Sequence, residues 1–225
     1  MNLGGLGQKL IRTCLDVLAP PRCLSCEALE PEASGYCPNC GEPELLLDVA
    51  CHAASVPVFA GARYGEPLSS VIHRFKYGAA PELGPELARL ATRGIDLLGI
   101  EPADVWVPVP LHPLRLAERG YNQAALLARE LSRTGHGQLD ARRLVRVRHT
   151  EQQAKRNRQG RIENVALAFA ARSPRVTRRR GARVVLVDDV VTTGATFAAC
   201  VHALRAAGDE VVGCMAVAYA DARPP

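Results

Sequence analysis

The segment 184–196 constrains the fold of this 225-residue chain more than any other. Four consecutive apolar residues, Val184–Val187, precede two adjacent acids, and a turn of small residues then leads into a helical pattern. A strand that is apolar at consecutive positions is typical of a parallel sheet that is covered on both faces. Because ligands bind such sheets at the carboxyl ends of the strands, the acids Asp188 and Asp189 are predicted to lie at a binding site.

The turn after the acid pair has the composition of an anion-binding site. Thr192, Thr193, Gly194 and Thr196 lead into a helix N-terminus, where backbone N–H groups, hydroxyls and the helix dipole all favour one anion. Carboxylates accept hydrogen bonds, so the acid pair suits sugar hydroxyls, or a Mg²⁺ ion bound with them. A ribose 5-phosphate therefore satisfies both parts of the motif. An ordinary buried strand followed by a capped helix would explain the threonines but not the two acids.

Strand and helix patterns alternate along the chain outside this motif. Buried strands are predicted at 104–109 and 210–219, and helices at 121–131 and 196–207. This alternation predicts an α/β fold in which a parallel sheet carries helices on both faces. Two shorter strands are predicted on either side of a polar, basic stretch at 149–161.

Two CxxC pairs near the N-terminus predict a metal site. Cys23 and Cys26 form the first pair, and Cys37 and Cys40 form the second. Two facing knuckles of this kind place four thiolates about a tetrahedral zinc ion. Because protein sulfurs fill all four positions, the zinc is predicted to be structural. The segment has almost no hydrophobic core, so bound metal would have to hold it together.

Two further cysteines leave the ligand set open. Cys14 fits the apolar stripe of a predicted N-terminal helix, whereas Cys51, beside His52, is an alternative ligand. Charged residues interrupt the first apolar stretch, which argues against a secretory signal and predicts a cytoplasmic chain without disulfides. No apolar run approaches the 18 or so residues that a membrane span needs, so no membrane partner is expected.

The charge of the chain is unevenly distributed. Between Arg142 and Arg183, 13 arginines and Lys155 oppose two glutamates, which gives this block a net charge of +12 in a chain whose total is +5. A basic block in an acidic body indicates a polyanionic partner, either nucleic acid or a phosphorylated small molecule. The alternative is a solvated face in a chain that uses 25 arginines and three lysines.

The thirteen residues around the acid pair resemble the loop of type I phosphoribosyltransferases that binds 5-phosphoribosyl-1-pyrophosphate (PRPP). Other motifs are similar to those of the ComF family in kind and in their order along the chain. Members of this family join an N-terminal zinc ribbon to a phosphoribosyltransferase domain. They are linked to DNA uptake in natural competence. The resemblance runs from about residue 10 to residue 219, but many relatives have four CxxC pairs where this chain has two. The motifs are Val107–Leu111, Arg119–Gln123, Arg148–Gln153, Arg161–Val165 and the CxxC pairs.

The resemblance implies a domain organisation and a set of site residues. We expect an N-terminal helix at 1–22, a zinc ribbon at 23–52 and a type I phosphoribosyltransferase-like domain at 53–222. The loop after the strand at 105–109 would handle pyrophosphate, and the stretch at 149–161 would close over the substrate. The implied PRPP-binding residues are Asp188, Asp189, Thr192, Thr193, Gly194, Ala195 and Thr196, and the pyrophosphate and lid candidates are Arg115, Arg119, Lys155, Arg156, Arg158 and Arg161.

Two functions are compatible with the resemblance. The first is a PRPP-binding protein of DNA uptake, with Mg²⁺ bound beside PRPP and with single-stranded DNA and cytoplasmic competence proteins as partners. The second is a true phosphoribosyltransferase that moves ribose 5-phosphate to a base or nucleotide acceptor. The sequence identifies no catalytic base, and the aromatic residues near the loop are Phe197 and Tyr121. His73 and Lys76 are either part of the hood that covers the site or exposed helix residues.

Overall fold

The computed structural model describes residues 20–29, 34–101, 104–147, 168–172 and 181–221. Most of the predicted N-terminal helix and all of the basic stretch at 149–161 lie outside these residues. The chain divides into two compact units, Met1–Pro43 with Gly65–Val71, and Glu44–Tyr64 with Ile72–Pro225. In the described ranges, no helix is long and apolar enough to cross a membrane.

A six-stranded sheet forms the centre of the larger unit. The described strands, in chain order, are β1 (Val49–Ala53), β2 (Val56–Arg63), β3 (Val105–Pro108), β4 (Gln138–Leu139), β5 (Leu144–Arg146), β6 (Phe169–Ala171), β7 (Arg183–Val191) and β8 (Glu210–Tyr219). Six of them form this sheet in the order β1-β2-β8-β7-β3-β4, and β5 and β6 form a separate antiparallel pair. All neighbours in the sheet are parallel except β1 and β2, which form an antiparallel hairpin.

Helices cover both faces of the sheet. Val184 and Leu186 share one buried cluster with Phe197 and Cys200 of the helix that follows β7. Val185 and Val187, which alternate with Val184 and Leu186 along β7, are buried as well. Because successive side chains of a strand point to opposite faces, these two residues face the other side of the sheet. The predicted α/β class is thereby confirmed. The helices are α1 (Leu68–Tyr77), α2 (Gly84–Ala91), α3 (Gly94–Leu97), α4 (Pro113–Arg119), α5 (Gln123–Ser132) and α6 (Ala195–Ala206), with a 3₁₀ turn at Pro81–Leu83.

The bounds of β8 are those predicted, whereas β7 is longer than its apolar core suggests. It continues through both acids to Val191, because β8 still pairs with it after β3 has ended. Strand β1 was not predicted, because its residues Cys51 and His52 were interpreted as alternative metal ligands rather than as part of an edge strand.

The connections of the sheet create a crevice beside β7. The chain leaves β3 through α4 and α5 and returns as β4 on one side, whereas it leaves β7 through α6 and returns as β8 on the other. Adjacent parallel strands whose connections depart in opposite directions mark the position where open α/β sheets bind ligands. The loops after β3 and β7 are therefore expected to form the binding site.

Candidate functional site

The acid pair lies where β7 outruns β3. The last β3–β7 pair joins Pro108 to Val187, so Asp188 is the first β7 residue without a β3 partner, and it still pairs with β8. Asp188 is partly exposed, whereas Asp189 is 7% exposed and donates its backbone N–H to the Asp188 carboxylate over 2.9 Å. Two adjacent carboxylates therefore stand at the crevice, and Asp188 is the more exposed residue of the two.

Two cations face the acid pair from different elements. The Nζ atom of Lys76, near the end of α1, lies 2.8 Å from Oδ1 of Asp189. Burial and the charge of Asp189 raise the pKa of Asp188 to about 7, while Lys76 and Arg146, at the end of β5, act in the opposite direction. Ligand groups that donate hydrogen bonds or carry positive charge would relieve the repulsion between the two acids.

The turn from β7 into α6 is open to an anion. Thr192, Thr193, Ala195 and Thr196 are exposed, and the N-cap residue Gly194 provides no side-chain hydrogen bond to the first turn. The leading N–H groups of a helix have no intrahelical acceptor, so here they are available to a ligand at the positive end of the helix dipole. This arrangement is suited to a phosphate group.

Gly194 is required by the shape of this turn. Its φ of 73° lies in the left-handed region, which other residues adopt only with strain. A Cβ atom at this position would lie 3.4 Å from the carbonyl oxygen of His52 and 3.8 Å from the Sγ atom of Cys51, which are ordinary contact distances. The backbone conformation, rather than lack of space, therefore requires glycine here.

The loop after β3 is fixed by two helix caps. Asn122 accepts the N–H of Ala124 at the start of α5 over 3.1 Å, and its own Nδ2 donates to the carbonyl of Val109 over 3.1 Å. Asn122 therefore caps α5 and ties its start to the backbone just after β3. At the start of α4, Nδ1 of His112 accepts the N–H of Leu114. The second edge of the crevice is consequently held in place by local hydrogen bonds.

The two candidate arginines lie in α4, and each has a side-chain partner. Arg115 forms a 3.3 Å ion pair with Glu118 on the same helix. Arg119 donates to Oε1 of Gln123 over 3.2 Å and to the hydroxyl of Tyr77 over 3.1 Å. Their assignment to pyrophosphate stays a prediction. The lid candidates Lys155, Arg156, Arg158 and Arg161 lie outside the described residues.

The structure places one of the two hood candidates, and one arginine of the basic block, against the acid pair. Lys76, one of the two hood candidates, contacts Asp189, whereas His73 is exposed and lies with its ring 5.0 Å from that of Tyr77. Arg146 was part of the basic block, and its guanidinium lies over the Phe169 ring as well as acting on Asp188. Lys76 was a hood candidate from the sequence, whereas no sequence pattern distinguishes Arg146 from other strand positions.

The four CxxC cysteines come together in the smaller unit. The Sγ atoms of Cys23, Cys26, Cys37 and Cys40 all lie within 4.8 Å of one another, and those of Cys26 and Cys37 are 3.7 Å apart. These are the four ligands predicted from the spacing. Cys51 lies on β1 in the other unit, and Cys14 lies outside the described residues.

Both pairs form knuckles with the same backbone geometry. The N–H of Glu27 donates to the carbonyl of Cys23 over 2.9 Å, and the N–H of Gly41 donates to that of Cys37 over 3.0 Å. Glu27 and Gly41 both have a positive φ, of 63° and 68°. Two equivalent turns therefore present their sulfurs towards one point, as zinc knuckles require.

The electrostatics of the cluster fit a thiolate-bound metal. Burial raises the pKa of Cys23, but backbone N–H groups of Cys26, Cys37 and Ser25 outweigh it and lower the pKa to about 6. Hydrogen bonds with Cys26 and Cys37 raise the pKa of Cys40 to about 12. Sulfurs this close cannot all ionise without a cation between them, so the donor set suits a soft divalent metal.

A parallel α/β sheet with an acid pair and an open helix N-terminus at its switch point defines a phosphoribosyltransferase-like domain. Residues 116–224 match the family model described as "Phosphoribosyl transferase domain". The chain belongs to the ComF family, as its similarity to named relatives shows.

Three relatives represent the range of similarity. "DNA utilization protein YhgH" of Escherichia coli (strain K12) is 33% identical over 78% of this chain and 80% of its own length. "Competence protein F" of Haemophilus influenzae is 35% identical over 85% of this chain and 82% of its own length. "Competence protein ComFC" of Bacillus subtilis (strain 168) is 27% identical over 78% of this chain and 74% of its own length.

Proposed function

We propose that this chain binds PRPP with Mg²⁺ at the β7–α6 turn and acts in DNA uptake during natural competence. The observation that carries the proposal is the adjacency of two groups at one crevice, a pair of carboxylates and an open helix N-terminus. The ribose hydroxyls would donate to the carboxylates, and the 5-phosphate would accept from the turn. The proposed PRPP-binding residues are Asp188, Asp189, Thr192, Thr193, Gly194, Ala195 and Thr196.

Magnesium and zinc have different roles in this proposal. Mg²⁺ prefers oxygen ligands and would bind together with the oxygen-rich PRPP beside the acid pair. Zinc would be held by the four cysteines, with no position open for a catalytic water, and would stabilise a ribbon. The proposed organisation is a helix at 1–22, the ribbon at 23–52 and the PRPP-binding domain at 53–222.

The DNA part of the proposal has two sources of support. The relatives carry the names of competence and DNA utilization proteins. The block from Arg142 to Arg183 has the charge needed to contact a polyanion. Lys155, Arg156, Arg158 and Arg161 could offset the charge of pyrophosphate, together with Arg115 and Arg119, or follow a nucleic-acid backbone.

PRPP is expected to bind the full-length protein in the presence of Mg²⁺ and to bind more weakly after chelation with EDTA. Mg²⁺ offsets the charge of the pyrophosphate group, which would otherwise be repelled by the two acids. Isothermal titration calorimetry measures both conditions, with ribose 5-phosphate as the comparison ligand that lacks pyrophosphate. If PRPP produces no binding heat with Mg²⁺ present, the proposed site is wrong.

The second candidate is a true phosphoribosyltransferase, and it is favoured by the intact acid pair and turn. In that case PRPP would release pyrophosphate when the correct base or nucleotide acceptor is supplied. Pyrophosphate release measured across a panel of nucleobases, nucleotides and oligonucleotides separates the two functions. Binding of PRPP without release in any mixture supports the first function, and release with one acceptor supports the second.

Single-stranded DNA is expected to bind without PRPP, with log affinity falling linearly as log salt rises. Replacing Arg156 and Arg158 by alanine should lower the affinity and flatten the salt slope by up to about two units, because each arginine would neutralise one phosphate. Fluorescence anisotropy over a salt series measures the slope. The matched control replaces Arg89 of α2 and Arg133 directly after α5, two exposed arginines whose loss should leave the slope unchanged. An unaltered slope in the first variant would exclude the basic block as the DNA contact.

A further inference from the structure

The last turn of α1, residues 74–77, reaches both edges of the crevice at which PRPP is proposed to bind. Lys76 extends to the β7 edge, where its Nζ atom lies 2.8 Å from Oδ1 of Asp189. Tyr77 extends to the other edge, where its hydroxyl accepts a hydrogen bond from Nη2 of Arg119 over 3.1 Å. Two consecutive residues of one helix therefore contact two residues that the proposed site assigns to the ligand.

The backbone of this turn is anchored at the start of α5. The Tyr121 hydroxyl donates to the carbonyl of Phe75 over 2.5 Å, and Nε2 of Gln123 donates to the same carbonyl over 3.5 Å. The side chains that follow are accessible, because Tyr77 is 59% exposed and the Lys76 side chain is 21% exposed. Exposed side chains change rotamer within nanoseconds, so these two can exchange partners without movement of the helix.

Each contact has the chemistry of the proposed ligand. A ribose hydroxyl would donate to Asp189, where the Lys76 ammonium donates in the structure. A pyrophosphate oxygen would accept from Arg119, where the Tyr77 hydroxyl accepts. Burial and Asp189 raise the pKa of Asp188, and Lys76 opposes them, so its charge acts on both acids. The turn therefore uses the same hydrogen-bonding groups that PRPP would use.

We propose that the last turn of α1 is an internal competitor of PRPP for Asp189 and Arg119. Lys76 holds the first and Tyr77 holds the second until the ligand displaces them. The inference rests on the proposed function, since it describes how binding at that site is regulated. A ligand's apparent affinity falls with the fraction of protein that is competent to bind it. The two contacts therefore lower PRPP affinity, whereas contacts that only oriented the site would raise it.

Tyr77→Phe is expected to raise the affinity for PRPP with Mg²⁺ by about fivefold, the gain if about four-fifths of the chains hold the contact with Arg119. The change removes one uncharged hydroxyl and keeps the ring, so the charge of the crevice stays the same. Isothermal titration calorimetry on the full-length protein measures the affinity, and circular dichroism establishes the fold. Tyr64→Phe is the matched control, because Tyr64 is also exposed, at 44%, and its replacement should leave the affinity unchanged.

The origin of the gain is tested in an Arg119→Met background. There the hydroxyl of Tyr77 has no guanidinium to hold, so Tyr77→Phe should leave PRPP affinity unchanged. Inorganic pyrophosphate with Mg²⁺ is the second probe. It supplies the group proposed to bind Arg119, so Tyr77→Phe should bind it more tightly by the same factor as PRPP.

A double-mutant cycle tests the second contact, because Lys76→Met alone also removes a charge that attracts PRPP. Asp189→Asn should weaken PRPP binding about threefold more in the Lys76→Met background than in the parent, since the carboxylate there binds the ligand without first releasing Lys76. The cycle cancels the effect of the lost charge. A smaller loss in the Lys76→Met background would show that Lys76 orients Asp189 and would contradict competition.

The outcomes separate this inference from the proposed site. Unchanged or weaker PRPP binding by Tyr77→Phe overturns the competition, and so does a gain of equal size in Tyr64→Phe or in the Arg119→Met background. In each of these cases PRPP binding by the parent leaves the proposed site in place. If the parent binds neither PRPP nor pyrophosphate, the proposed function is wrong and the competition is overturned with it.

Discussion

Cys37→Ser is expected to abolish zinc binding and to unfold the cysteine-bearing segment, while the α/β unit keeps its fold. Between residues 20 and 43, the buried apolar side chains that the structure describes are Cys23, Tyr36, Cys37 and Pro43. Two of these four are proposed metal ligands, so little apolar surface remains to stabilise the segment once the metal is lost. Structural zinc commonly supplies the folding free energy of such segments, about 10 kcal/mol or more in small zinc peptides.

Elemental analysis and limited proteolysis measure this result. The parent should carry about one zinc ion per chain, and the variant none. Cys51→Ser is the matched control, because Cys51 lies on β1 outside the four-sulfur cluster and its replacement should leave the zinc content unchanged. Zinc retained in Cys37→Ser, or a metal-free parent whose segment resists proteolysis, would contradict the proposed structural role.

The features that sequence predicted well are those encoded over short stretches. The Cys23 and Cys26 pair forms its knuckle through hydrogen bonds within a few residues. The β7–α6 motif likewise combines an apolar strand, two acids and a left-handed glycine within thirteen positions. Local patterns of this kind determine local geometry, so the four cysteines and the position of the acid pair at the end of a sheet could be predicted without a structure.

The features that sequence missed depend on contacts between distant segments. The contact of Lys76 with Asp189 joins α1 to β7, and the bond of Arg119 to Tyr77 joins α4 to α1. Neither pair has a characteristic spacing, because the topology of the sheet brings the partners together. For the same reason the partners of Tyr77 could not be predicted from its position at the end of a helix.

Asp188→Asn with Asp189→Asn is expected to lower PRPP affinity by about 100-fold or more while the fold is retained. The double change keeps side-chain volume but removes both charges, and hydrogen bonds to charged groups contribute about 1.5–3 kcal/mol each. The asparagine oxygens can still accept hydrogen bonds. A loss of PRPP affinity would therefore measure the contribution of the two negative charges rather than a change in the shape of the site. Calorimetry with PRPP and Mg²⁺ measures the effect.

Two further variants make this result interpretable. Removing Asp189 leaves Lys76 without its carboxylate partner, so the triple variant that adds Lys76→Met tests whether an unpaired cation affects folding. Asp96→Asn with Glu210→Gln neutralises two exposed acids, one of them at the opposite end of β8, and should bind PRPP as the parent does. Circular dichroism melting curves establish that each variant is folded. Equal PRPP affinity in the folded double variant and the parent would exclude the acid pair from ribose binding, because no other pair of adjacent carboxylates lies along β7 in the described structure.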